Sequence, residues 1–292
     1  MKRPTQKTLL SLFDGTGSIC GPFLRAGWNV RRLDIDGLRG ADIVVDIRNW
    51  DPAVHWSGPA PDVIFAGPPC ENYSSARTRA KSPRDLKLAD SLVRKTIDVI
   101  EYFHTMNPTM QFFVENPDSS MLWRRWVSHR LYKDVANHPL SVFVETMNIS
   151  RERKSWQRIS QVRSRGFKES CKDRHVVRLD YCQYGTKYRK RTRLMTNNPF
   201  GGLMCKKNCG NIVGGRHIEV AQRGPREFSD TDTACPGRRM HTLSELHAYP
   251  ADLVEAIFKH VDGAVHCERR GVGPKRAEPS LFPLAETDVT PP

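Results

Sequence analysis

The chain has 292 residues, of which 38% are hydrophobic and 27% charged, and a formal net charge of +14. At roughly 100–200 residues per domain this is one large domain, or one domain with an appendage. No run approaches the ~18 consecutive apolar residues of a membrane helix, which excludes a membrane-spanning reading.

Thr8-Leu-Leu-Ser-Leu-Phe13 reads as a first strand, Gly15 to Gly17 as a tight turn, and Ile19 to Ala26 as a helix closed by Gly27. Leu9 to Phe13 is too short for a secretory leader and stops at Asp14-Gly15, so the eight cysteines are expected to be reduced thiols of an intracellular protein. Asn29 to Asp34 reads as a second strand, Ile43 to Val45 as a third and Val63 to Ala66 as a fourth. Between Asp85 and His104 apolar residues at 89, 92, 93, 97, 100 and 103 follow helical spacing, and Gln111 to Glu115 is a fifth strand. This alternation predicts an α/β fold with a doubly wound, mostly parallel sheet.

After Pro117 the pattern loosens. Residues 124–178 mix Trp126, Trp156 and many arginines without a sustained period, and read as a helix followed by a long insertion. Residues 123–200 hold 19 Lys+Arg against 6 Asp+Glu, so this block carries nearly all of the net charge and has the footprint of a surface that tracks phosphates. A solvated basic insertion is the plainer reading. Arg193 to Thr196 reads as a sheet-edge strand, Leu253 to Val261 as a final amphipathic helix, and the Pro-rich end as a disordered tail.

The residues that invite chemistry stand at strand ends. Pro68-Pro69 must stop the fourth strand, because proline has no N–H to give the ladder. Cys70 then sits past the carboxyl end of a parallel strand, where ligands of open α/β sheets bind. The bland alternative is an inert buried cysteine. Glu115 ends the next strand along, and is otherwise a helix cap or a surface carboxylate. Gly15 and Gly17 let backbone approach a ligand, and Asp34 ends the second strand; Asp34 and Asp46 are otherwise turn residues.

Taken in order, Phe13-Asp-Gly15-Thr-Gly17, Asp34-Ile-Asp36, Asp46-Ile47, Pro68-Pro69-Cys70, Glu115-Asn-Pro117 and Arg189-Lys-Arg191-Thr-Arg193 resemble the motif series of the cytosine carbon-5 DNA methyltransferases, in style the small phage and viral members. The resemblance covers residues 8–122 most strongly and 180–262 more weakly. It departs from the usual pattern at Arg189, where glutamine is customary, and at Pro117, where valine is. It implies S-adenosylmethionine as cofactor, bound by Phe13, Gly15, Gly17, Asp34, Ile35, Asp46 and Pro69. It also implies Cys70 as the nucleophile toward carbon 6 of cytosine, with its pKa lowered by positive neighbours or backbone N–H groups. Glu115 then serves ring nitrogen 3, Arg191 steadies the flipped base, and Arg189 and Arg193 contact nucleic acid from the same strand face. The expected division is 1–122 for the cofactor-binding and catalytic half, 123–178 for a basic insertion, and 179–197 for the arginine strand. A small recognition segment at 198–240, a closing helix at 241–263 and a tail at 264–292 follow.

Cys205, Cys209, His217 and Cys235 lie in the small segment with spacing compatible with structural zinc. The expected partner is double-stranded DNA with its target base flipped out, bound by a monomer, in the nucleus or cytoplasm. Three other readings stay open: an RNA (tRNA) cytosine-5 methyltransferase, a non-catalytic nucleic-acid-binding relative, and a nucleotide-dependent oxidoreductase. The last leaves Pro-Pro-Cys without a task and lacks a third glycine.

Overall fold

The computed structural model describes residues 6–74, 82–125, 176–223 and 239–270. Five parallel strands come first: β1 (Thr8–Leu12), β2 (Asn29–Asp34), β3 (Ile43–Val44), β4 (Val63–Ala66) and β5 (Gln111–Pro117). They are joined by β6 (Val176–Asp180) and β7 (Arg191–Thr196) into one seven-stranded sheet, ordered β3-β2-β1-β4-β5-β7-β6. Strand β7 runs antiparallel to both neighbours. The sheet is thus a mostly parallel, doubly wound Rossmann-like sheet with one reversed strand.

The alternation of side chains builds a core on each face. Leu10, Leu12, Ile64, Ala66, Phe112, Val114 and Met195 join one cluster, while Leu9, Val63, Phe65, Phe113 and Leu194 join the other. Every residue of β1 and β4 is buried, as expected of strands covered on both sides. The short helices α1 (Gly21–Arg25) and α2 (Pro52–His55) precede the long α3 (Leu86–Met106). Asp85 caps α3 by accepting the Leu88 N–H at 2.8 Å, and the helix buries Val93, Ile97, Ile100 and Phe103 on the first face. At the chain's other end, α4 (Leu243–His247) leads to α5 (Ala251–Arg270), which places Leu253, Val254, Ile257 and Val261 on the second face beside Phe23 of α1. Each of these fully buried apolar side chains contributes about 1.5–3 kcal/mol.

Three expectations need correction. The arginine strand is not a sheet edge, because β6 covers it. Val176 to Arg178, the end of the expected insertion, belong to the sheet as the start of β6, since pairing with β7 overrides the irregular sequence around them. The closing helix runs to Arg270. Between β7 and α4 lie two small two-stranded sheets, β8 (Ile212–Val213) with β9 (Arg216–His217), and β10 (Glu219–Arg223) with β11 (Arg239–His241). Trp126, Trp156, Cys235 and the Pro-rich end lie outside the described residues.

Candidate active site

A cavity of about 470 Å³ opens at the carboxyl ends of β1, β2, β4 and β5. This is the rim that a parallel α/β sheet leaves for ligands.

Its first half is built by the turn after β1. Phe13 lines the cavity with a left-handed backbone (φ 57°), a conformation that costs a bulky residue about 1–3 kcal/mol. Gly15, also left-handed, donates its N–H to Asp34 Oδ2 at 2.9 Å, and Asp34 Oδ1 accepts from Asp36 N–H at 2.8 Å. Asp34 therefore fixes the turn and keeps a second lone pair on each oxygen toward the cavity. Ile35 is 70% exposed on the same wall, an apolar surface beside carboxylates. Asp46 caps a short 3-10 helix and binds the Arg48 guanidinium, whose hydrogen bonds hold its carboxyl below the usual carboxylate range. Gly17 does not line the cavity; left-handed itself, it lies where a Cβ would come within 2.7 Å of an Arg32 Nη.

The second half joins the ends of β4 and β5. Pro68 and Pro69 end the β4 ladder, and Asn116, fully buried, donates Nδ2–H to the Pro68 carbonyl at 2.8 Å. That bond ties the Pro-Pro-Cys turn to the Glu-Asn-Pro strand, so Cys70 and Glu115 line one cavity with Pro69 between the two halves. A Cβ on Gly67 would stand 2.3 Å from the Tyr249 hydroxyl, so any other residue there must displace that side chain. Glu115 is 6% exposed, and burial pushes its carboxyl pKa up against the opposing pull of Lys190, Thr192, Tyr249 and Tyr181. Its carboxylate, the Tyr181 hydroxyl and the Thr192 hydroxyl are buried together in one polar cluster. A ligand's polar edge would add hydrogen bonds to this cluster.

Burial and then Glu115 push the Cys70 thiol up, while Lys190 pulls it down. The expected lowering of this pKa is thereby corrected: the one cation opposing burial does not outweigh it. Lys190, held by the Leu246 carbonyl at 2.9 Å and lying over the Tyr181 ring, also lines the cavity.

The arginines take other partners. Arg191 Nε and Nη2 both donate to fully buried Asp180 at 3.0 Å. Arg193 binds Asp118 at 2.6 and 2.9 Å and lies over Trp123, while Arg189 is exposed ahead of β7. None of the three lines the cavity. The alternation that groups Arg191 and Arg193 puts Lys190 and Thr192 on the opposite face, and this signal was available in the sequence. Tyr181 and Tyr249 left none, because their approach depends on chain segments far apart in sequence. Cys205, Cys209 and His217 do come together, with Cys182 as their fourth neighbour.

No family model matches the chain. It is 30% identical over 241 residues to the "Probable DNA (cytosine-5)-methyltransferase" of Frog virus 3 (isolate Goorha), covering 75% of this chain and 87% of that protein. Similar solved structures include an Escherichia coli protein titled a putative DNA modification methyltransferase encoded within a prophage (TM-score 0.37, 14% identity, 65% of this chain and 46% of that one). Another is a variant of Spodoptera frugiperda DNMT2 (TM-score 0.33, 15% identity, 77% and 57%). The match spans less than two thirds of each of these solved chains.

Proposed function

The chain belongs to the DNA (cytosine-5)-methyltransferase family, and from that premise we propose that it methylates carbon 5 of a flipped cytosine in duplex DNA. The observation that carries this reading is the meeting of Cys70 with a buried Glu115, set among Lys190, Thr192, Tyr249 and Tyr181, on one cavity at the sheet's ligand rim.

S-adenosylmethionine fits the first half of the cavity, and supplies a methyl group on a sulfonium when bound. Gly15 brings backbone close to it, Asp34 offers its remaining lone pairs to hydroxyls, Ile35 and Phe13 offer apolar contact to a ring, and Asp46 and Pro69 close the wall.

The target base leaves the duplex to enter the second half. Carbon 5 of cytosine is a poor nucleophile until a thiolate adds to carbon 6. Cys70 gives its proton to solvent, its sulfur bonds to carbon 6, and the electron pair displaced toward the ring is held by a hydrogen bond or proton at nitrogen 3. Glu115, whose raised pKa keeps it protonated more readily than an ordinary carboxylate, delivers that proton. The resulting enamine would take the sulfonium's methyl at carbon 5, leaving a neutral thioether; a solvent base then removes the carbon 5 proton, the nitrogen 3 proton returns to Glu115, and the sulfur leaves as thiolate when the aromatic ring returns. Lys190 favours the thiolate that attacks. Arg191 and Arg193 act as positioning residues, through Asp180 and Asp118.

Transfer of radiolabelled methyl from S-adenosylmethionine to duplex DNA and to tRNA tests this. Label is expected on DNA with the native chain and not with Cys70→Ala. Label confined to tRNA, or undiminished by Cys70→Ala, overturns it.

A further inference from the structure

Away from the cavity, Cys182, Cys205, Cys209 and His217 bring four donor atoms within 4.8 Å of one another. Cys182 sits in the 3-10 turn Tyr181–Tyr184 after β6, Cys205 and Cys209 lie between β7 and β8, and His217 ends β9. Two sulfurs, of Cys205 and Cys209, stand 3.5 Å from the same His217 Nε2. A single ring nitrogen has at most one proton, so it cannot satisfy both as a donor. Equal spacing around one nitrogen is instead the pattern of ligands about a shared centre. With Zn–S near 2.3 Å and Zn–N near 2.05 Å, a tetrahedral ion holds sulfur and nitrogen roughly 3.6 Å apart.

The loop geometry agrees. Lys207 donates its backbone N–H to Cys205 Sγ at 3.3 Å, the sort of outer hydrogen bond that favours a thiolate ligand, and does so with a left-handed backbone (φ 64°) that a lysine adopts only where something holds it.

We propose that Cys182, Cys205, Cys209 and His217 form a closed structural zinc site. Three thiolates and one imidazole leave no open position, so the ion is a staple and not a Lewis acid. It fastens the β8–β9 hairpin to the turn between β6 and β7. Asp180 reinforces that joint, accepting the Cys205 N–H at 2.8 Å while it holds Arg191. Tyr181, whose hydroxyl stands beside Glu115, is the residue next to Cys182. The staple thus bears on the wall of the acid's pocket from one residue away.

Elemental analysis of the full chain, purified without chelator, is expected to give one zinc per chain. Exchange for cobalt(II) is expected to give intense tetrahedral d–d bands with thiolate charge transfer for a three-sulfur, one-nitrogen set. Cys182→Ser and His217→Ala lose the metal, whereas Cys235→Ser keeps it. Zinc far below one per chain, a disulfide within the trio, or loss in Cys235→Ser with retention in Cys182→Ser overturns the assignment. If Cys182→Ser does not fold, the cobalt spectrum of the native chain decides alone, an octahedral or sulfur-poor spectrum being the contrary result.

Discussion

Burial destabilises the charge of Glu115 and so keeps on it the proton that the chemistry uses. Because the folded pKa lies above the ordinary carboxylate value, the stability linked to its protonated form is complete below that value and is lost as pH rises through the raised one. Glu115→Gln therefore stabilises the protein relative to native, increasingly as pH rises, by roughly 2–4 °C in melting temperature at pH 8, while methyl transfer falls about 10²–10⁴-fold. A melting difference that does not change with pH contradicts this. The Cys70 thiol is also raised, so kcat/KM is expected to climb with pH as the thiolate forms. Lys190→Gln removes the opposing cation, moves that climb to higher pH and lowers kcat/KM roughly tenfold at neutral pH. An unchanged pH profile would remove Lys190 from the account. The placement of Cys70 and Glu115 at adjacent strand ends was legible in the sequence. Their pKa directions were not, because burial is decided by Tyr181, Thr192 and Tyr249, which the chain brings in from elsewhere.

At the scale of elements, the site depends on β4 and β5 ending side by side. Gly67→Ala forces a methyl against the Tyr249 hydroxyl and is expected to cost about 1–3 kcal/mol. Tyr249→Phe in the same chain removes that oxygen and returns part of the loss, a coupling that a double-mutant thermal series measures; strict additivity would contradict it. Strands β4 and β5 could be read because apolar runs such as Val63-Ile-Phe-Ala66 end at a glycine or proline. Strand β6 could not, for Val176 to Asp180 has no local period and is a strand only through its partner β7. The same missing neighbour made β7 look like an edge. Cys205, Cys209 and His217 could be grouped by their spacing, whereas Cys182 reaches them only because the fold brings it back from a turn before the arginine motif; Cys235 lies outside the described residues.

At the scale of the molecule, the charge is lopsided. Residues 123–200 hold 19 Lys+Arg against 6 Asp+Glu, while the remaining chain is nearly neutral. If that block meets phosphates, DNA affinity falls steeply with salt; neutralising roughly five phosphates gives a slope of log K against log salt of about −4.5. A flat salt dependence would mean the basic block does not face DNA. Among the described residues no helix is long and apolar enough to cross a membrane. The central claim is the bond between Cys70 and carbon 6, and the most direct measurement is capture on duplex DNA carrying 5-fluorocytosine, whose carbon 5 cannot release a proton. With S-adenosylmethionine present, the native chain is expected to form a denaturation-resistant adduct that Cys70→Ala does not form. An adduct that survives Cys70→Ala, or none from a native chain that still transfers methyl to DNA, would contradict the account.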